Sequence, residues 1–128
     1  MNTSLYAWHQ LIQERNFKNI ASLLADEVAM HSPIVHTPVA GKAVVTLYLT
    51  AAFYTFLNDE FKYVRQLSDD NTAILEFTTI IDGIFVNGVD MIIWNSEGKI
   101  TDFKVMVRPL KAVNLIHKKM EAMLESLK

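Results

Sequence analysis

Residues 72–108 read TAILEFTTIIDGIFVNGVDMIIWNSEGKITDFKVMVR. Apolar and polar residues alternate through most of this stretch, the period of a strand with one face buried. Two interruptions carry turn chemistry. Asp82-Gly83 is a two-residue hairpin signal, and Asn95–Gly98 (NSEG) closes a second turn. The stretch therefore predicts three long strands joined as successive hairpins. Upstream, Phe61–Leu67 (FKYVRQL) alternates in the same way before a turn at Asp69–Asn71, which adds a fourth.

Outside this block the period changes to that of a helix. Leu5, Trp8, Leu11 and Ile12 recur at helical spacing, with Asn2, Thr3 and Ser4 as candidate N-caps. Phe17, Ile20, Ala21 and Leu24 fit a second short helix capped by Asn16. Glu27–His31 (EVAMH) is strand-like and is cut off by Pro33. Val45, Tyr48, Leu49, Ala52, Phe53 and Phe56 form a continuous apolar stripe on a third helix. After Pro109 a last helix carries Val113, Ile116, Met120, Met123 and Leu127 on one face. Helices segregated from a run of antiparallel strands specify an α+β fold. One strongly bent sheet with helices packed into its concave side buries these faces, and a cup of that kind leaves a cavity for a ligand.

The 128 residues fit a single domain spanning 1–128, with no linker or repeat longer than the pair HSP (His31–Pro33) and HTP (His36–Pro38). A chain of this length buries roughly two thirds of its unfolded surface, and 51% hydrophobic residues supply the core. A net charge of −2, with the basic residues scattered, argues against nucleic acid and anionic membranes as partners. There is no cysteine, so disulfides, thiolate metal sites and cysteine nucleophiles are excluded. The start of the chain does not read as a secretory signal, and no run approaches the roughly 20 apolar residues of a membrane span. The expectation is a cytoplasmic protein without a cofactor.

Polar residues in apolar runs mark the candidate site, because burying them is costly unless they are paired or neutral. Asp90 is the clearest. Alternation puts it on one strand face with Gly88, Ile92 and Trp94, where a carboxyl would have its pKa raised and could act as acid or base. The competing reading places Asp90 at the sheet rim, paired with a lysine or a backbone amide. Glu76 shares a mixed face with Ile74, Thr78 and Ile80 and reads as structural. Asp102 and Lys104 read as an exposed pair on one strand, and His9 and His117 as surface residues. His31 and His36 lack the i, i+4 spacing and neighbouring ligands of a metal site, so no metal is expected. Either histidine could instead turn inward.

Two stretches, LLADEVAMHSPIVHTPVAGKAVV and GVDMIIWNSEGKITDFKVMVRPLKAVN, make the chain resemble the nuclear transport factor 2-like superfamily, in particular its SnoaL-like and ketosteroid isomerase-like branches. The resemblance implies a cone-shaped bent sheet around a pocket (a cystatin-like α+β barrel) and a homodimer formed through the sheet. It places the aspartate base of ketosteroid isomerases on Ser32, which cannot serve as a carboxylate base, and their first-helix tyrosine on Leu11. Their oxyanion-hole aspartate, an acid kept neutral by an apolar site, falls on Asp90. Polyketide cyclases and dehydratases of the superfamily use single aspartates or His/Asp sets, which here implies Asp90 with His31 or His36 as the acid/base set. Trp8, Ser32, Phe53, Phe103, Val105 and Val107 are then expected to line the pocket. The expected ligand is a small hydrophobic carbonyl compound, acted on by an isomerase, cyclase or dehydratase type of chemistry. The alternatives are a non-catalytic binding or dimerisation module and, with support from the fold alone, a transport adaptor.

Overall fold

The computed structural model describes residues 2–127. Helix α1 (Thr3–Glu14) starts where the Asn2 side chain accepts a hydrogen bond from the Leu5 amide at 2.9 Å, so Asn2 is the cap among the three candidates. It buries Leu5, Trp8, Leu11 and Ile12, the stripe expected from spacing. Phe17–Leu23 forms a tighter 3₁₀ segment rather than an α-helix. Asn16 makes no side-chain cap there, and Leu24 already belongs to strand β1 (Leu24–His31).

Beyond β1, a two-residue strand β2 (Val39–Ala40) pairs back antiparallel onto it, an element the sequence reading lacked. Helix α2 (Lys42–Phe56) follows, then strands β3 (Lys62–Ser68), β4 (Thr72–Ile81), β5 (Ile84–Trp94) and β6 (Ile100–Arg108), and helix α3 (Leu110–Ser126). The β4–β5 hairpin turns on Asp82 (φ 50°) and Gly83 (φ 79°). Positive φ at both central residues is what a right-twisted two-residue turn requires.

The six strands form one curved sheet in the order β2-β1-β6-β5-β4-β3. Two expectations need correction. The sheet has free edges at β2 and β3 and does not close into a barrel. It is also not wholly antiparallel, because β1 runs parallel to β6, pairing Met30 with Phe103 and His31 with Lys104.

The inner face of the sheet carries Met30, Leu75, Phe77, Ile92, Phe103 and Val105, all buried against α1 and α2. Helix α2 buries more than its predicted stripe, since Ala51 and Thr55 are also enclosed. The cause is α3, which packs against α2 and also reaches strands β5 and β6. The Thr55 hydroxyl, bonded to the Ala51 carbonyl, also meets the Met120 sulfur at 3.6 Å. A helix covered on two sides cannot be recognised from a single apolar stripe. Among the described residues no helix is long and apolar enough to cross a membrane.

Candidate functional site

Strand alternation places Asp90 inside the cup with Gly88, Ile92 and Trp94 buried on the same face. Among the described residues its partner is neither a lysine nor a backbone amide. The Tyr63 hydroxyl, from edge strand β3, donates to Asp90 Oδ2 at 2.8 Å, and Trp8 Nε1 from α1 donates to the same hydroxyl at 3.1 Å. A chain of donors thus runs from indole to phenol to carboxyl. Oδ1 has no hydrogen bond to another described residue.

A β-bulge turns Tyr63 inward. Tyr63 pairs with Phe77 on the inner face, the register slips, and Arg65 then pairs with Glu76 on the outer face. Arg65 Nε reaches Glu76 Oε1 at 3.0 Å there, and Asn87 donates to Glu76 Oε2 at 3.0 Å. Glu76 is structural, as its mixed face suggested. The Tyr63 residue is partly exposed at the sheet edge, while its hydroxyl end is enclosed. Its ring packs edge-on against Phe61 and His9, and His9 is hydrogen-bonded to Gln66 at 2.7 Å.

These groups border a small chamber with about 30 Å³ of free space, room for one or two waters. Trp8, Phe53, Phe103 and Val105 border it together with Met30, Phe56, Phe61 and Phe77. Trp8 packs against Phe53 and Phe103 with centroids 5.6 and 5.1 Å away, so the aromatic wall is continuous. Trp8, Tyr63 and Asp90 are the hydrogen-bonding side chains of the lining, and Tyr63 and Asp90 are its titratable groups.

Enclosure sets their acidity. Burial pushes the Asp90 carboxyl up from 3.8 to about 7, against the Tyr63 hydrogen bond, which favours the anion and holds it down. Burial also raises the Tyr63 phenol well above its ordinary value, and the nearby Asp90 charge adds to the rise. Near neutrality the carboxyl therefore exists as both acid and base, and the phenol stays protonated.

The other expected site residues lie elsewhere. His31 follows inward-facing Met30 by one residue and so points to the outer side of the sheet. Its Nε2 bonds Asp102 Oδ1 at 2.9 Å, brought beside it by the parallel β1–β6 pairing. The expected pairing of His31 with Asp90 is therefore corrected, as is the pairing of Asp102 with Lys104. His36 is exposed in the connector after β1 and lines an outer concavity with His31, so it does not face Asp90 either. Ser32 is a turn former whose Oγ accepts from the Ile34 and Val35 amides at 3.2 and 3.1 Å, and it borders a second cavity rather than the Asp90 chamber. Val107 lies towards the end of β6 and borders outer-surface concavities rather than the chamber. Leu11 is buried core on α1, and the polar group which that helix sends inward is the Trp8 indole. His117 pairs with Glu121 at 2.7 Å on α3. Among the described residues no three His, Asp or Glu side chains gather as a metal site.

Comparison with known proteins agrees with this architecture. A steroid delta-isomerase from Pseudomonas aeruginosa is similar in structure with a TM-score of 0.91 and 34% identity, covering 98% of this chain and 91% of its own. An uncharacterized bacterial protein with a cystatin-like fold from Silicibacter pomeroyi DSS-3 follows, at 0.87 and 28%, covering 95% and 85%. An NTF2-like protein of unknown function from Mesorhizobium loti shares the fold at 0.71 and 15%, covering 84% and 89%. No curated protein matches the chain. The family model described as the SnoaL-like domain matches residues 5–103. With that match spanning most of the sheet and helices α1 and α2, the chain belongs to the SnoaL-like family, whose structural neighbours here are NTF2-like and ketosteroid isomerase-like proteins.

Proposed function

We propose that the protein is an isomerase-type proton-transfer enzyme acting on a small hydrophobic carbonyl compound, with Asp90 as both acid and base. The observation that carries this reading is the Trp8–Tyr63–Asp90 chain in an apolar chamber, with the carboxyl pushed up to about 7. A group that titrates near the working pH moves a proton in both directions with little loss. Similarity to the Pseudomonas aeruginosa steroid delta-isomerase supports the reaction class.

The chemistry needs no second carboxylate. Asp90, as the anion, takes a proton from the carbon between the carbonyl and a β,γ double bond, and the electron pair passes to the carbonyl oxygen as a dienolate. Negative charge thereby leaves Asp90 and appears on the substrate. The Tyr63 hydrogen follows that charge, from the neutralised carboxyl to the oxyanion, while the Trp8 N–H keeps the phenol oxygen in place. Asp90 then returns the proton to the γ carbon, and the double bond ends conjugated with the carbonyl.

Conversion of 3-cyclohexenone to its conjugated isomer, followed by ultraviolet absorbance, tests this. Asp90→Asn is expected to lower the rate by at least about 100-fold. Tyr63→Phe is expected to retain part of the activity and to move the acid limb of the rate profile, where the rate rises as Asp90 ionises, to higher pH, because Tyr63 holds the Asp90 pKa down. An Asp90→Asn variant as active as the parent would remove the proposed role. A second reading, a non-catalytic pocket, is favoured by the roughly 30 Å³ chamber with a single carboxyl. Binding of the ketone without turnover by the parent protein selects it.

A further inference from the structure

A second cavity of about 190 Å³ lies between α2, α3, β6 and the connector that follows β1. Met30, Ala52, Phe56 and Val105 line both this cavity and the Asp90 chamber, so they form the partition between the two. On the far side stand Tyr48 and three residues of α3, namely Ile116, Met120 and Leu124. The charged side chains of the lining are His117 and Glu121, which are paired with each other at 2.7 Å and more than half exposed. An anionic or cationic group entering here would find no free counter-charge.

We propose that this cavity is the apolar half of the ligand site. It takes the alkyl chain or single ring of a ligand whose carbonyl end reaches Tyr63 and Asp90, and Met30 is the side chain that yields to join the two spaces. The proposal rests on the reading of Asp90 given above and adds the size and polarity of what is bound. Three observations support it. The chamber alone, at about 30 Å³, has no room for an organic molecule. The annexe is its direct neighbour and is lined mainly by apolar side chains, whereas dry apolar cavities of about 150 Å³ bind benzene. Of the four partition residues Met30 is the one with a long, flexible side chain, and methionine changes shape at low cost. The annexe is also smaller than the roughly 300–1,000 Å³ that holds drug-sized ligands. The ligand class is therefore a neutral carbonyl compound with one ring or a short chain, not a large polycycle.

The test is a series of straight-chain 2-alkanones from 2-butanone to 2-decanone, titrated at pH 6 into protein carrying ¹³C in its methionine methyls and Asp carboxyls. Each added methylene is expected to tighten binding about threefold to fourfold, with a plateau once the annexe is filled. The Met30 and Met120 methyl signals should move together with the Asp90 carboxyl. Leu124→Trp, which fills the annexe from α3, is expected to flatten the chain-length series. Met120→Phe is the second variant should the first not fold. Ketones that shift Asp90 with no dependence on chain length would overturn the annexe while leaving the Asp90 reading standing. Ketones that shift the Met120 methyl and never Asp90 would overturn the reading on which the proposal rests, and the joined site with it.

Discussion

Asp90→Asn is expected to cross the parent protein in stability as pH rises: less stable than the parent at pH 4, more stable at pH 8.5. In the unfolded chain the carboxyl titrates at 3.8, and in the folded chain at about 7. Between those values the native state holds a proton that the unfolded state has released. Native stability then falls by about 1.4 kcal/mol per pH unit. The contribution is fully present below pH 4 and is lost as pH rises through 7, roughly 4 kcal/mol in all at the level of an order of magnitude. Asparagine keeps an oxygen to accept from Tyr63 and never ionises, so its curve lacks this slope. It also leaves an amide N–H without a partner in the chamber, which costs about 1–3 kcal/mol at every pH. The difference between the two urea-denaturation profiles isolates Asp90 from the other titrating groups. Parallel profiles from pH 4 to 8.5 would mean that Asp90 is not buried as described.

The second large effect is expected at Gly88, two residues before Asp90 on the same inner face of β5. A Cβ built there would overlap the Phe77 ring, which sits across the strand pair. It would also lie 2.8 Å from the Met106 carbonyl oxygen of β6. The ring could shift, but the carbonyl belongs to a strand held on both sides by β1 and β5, so the sheet itself would have to give. Phe77 in turn stacks on Phe61 and meets Phe56 edge-on, and all three line the chamber. Gly88→Ala is therefore expected to lose about 3 kcal/mol by chemical denaturation, the upper part of the range for overpacked cores. A loss below about 0.5 kcal/mol would show that the close packing of Phe77 on β5 is not what shapes the wall.

What the sequence made legible follows from which constraints are local. Period-two alternation in GVDMIIW needs only one buried face, and it put Asp90 inside with Ile92 and Trp94, where the structure has them. The hairpin at Asp82-Gly83 is equally local. Tyr63 was missed for a physical reason. Uninterrupted alternation places Tyr63 and Arg65 on one face, and the bulge after Tyr63 separates them. No residue in FKYVRQL announces a bulge. The same holds for His31, whose partner Asp102 is 71 positions away and arrives only through the parallel β1–β6 pairing. The two HxP motifs offered His31 or His36 as the partner of Asp90. In the fold His31 ends β1 on the outer side of the sheet and His36 is exposed in the connector beyond it, and the partner of Asp90 is Tyr63.

The proposed proton transfer depends on the state of one carboxyl, which makes its titration the most direct test. The side-chain ¹³C signal of Asp90, assigned by comparison with Asp90→Asn and followed from pH 3 to 9, is expected to titrate at about 7. It is expected to move higher still in Tyr63→Phe, which removes the hydrogen bond that favours the anion. A midpoint near 4, the ordinary value for an aspartate in water, would contradict the enclosed acid–base group.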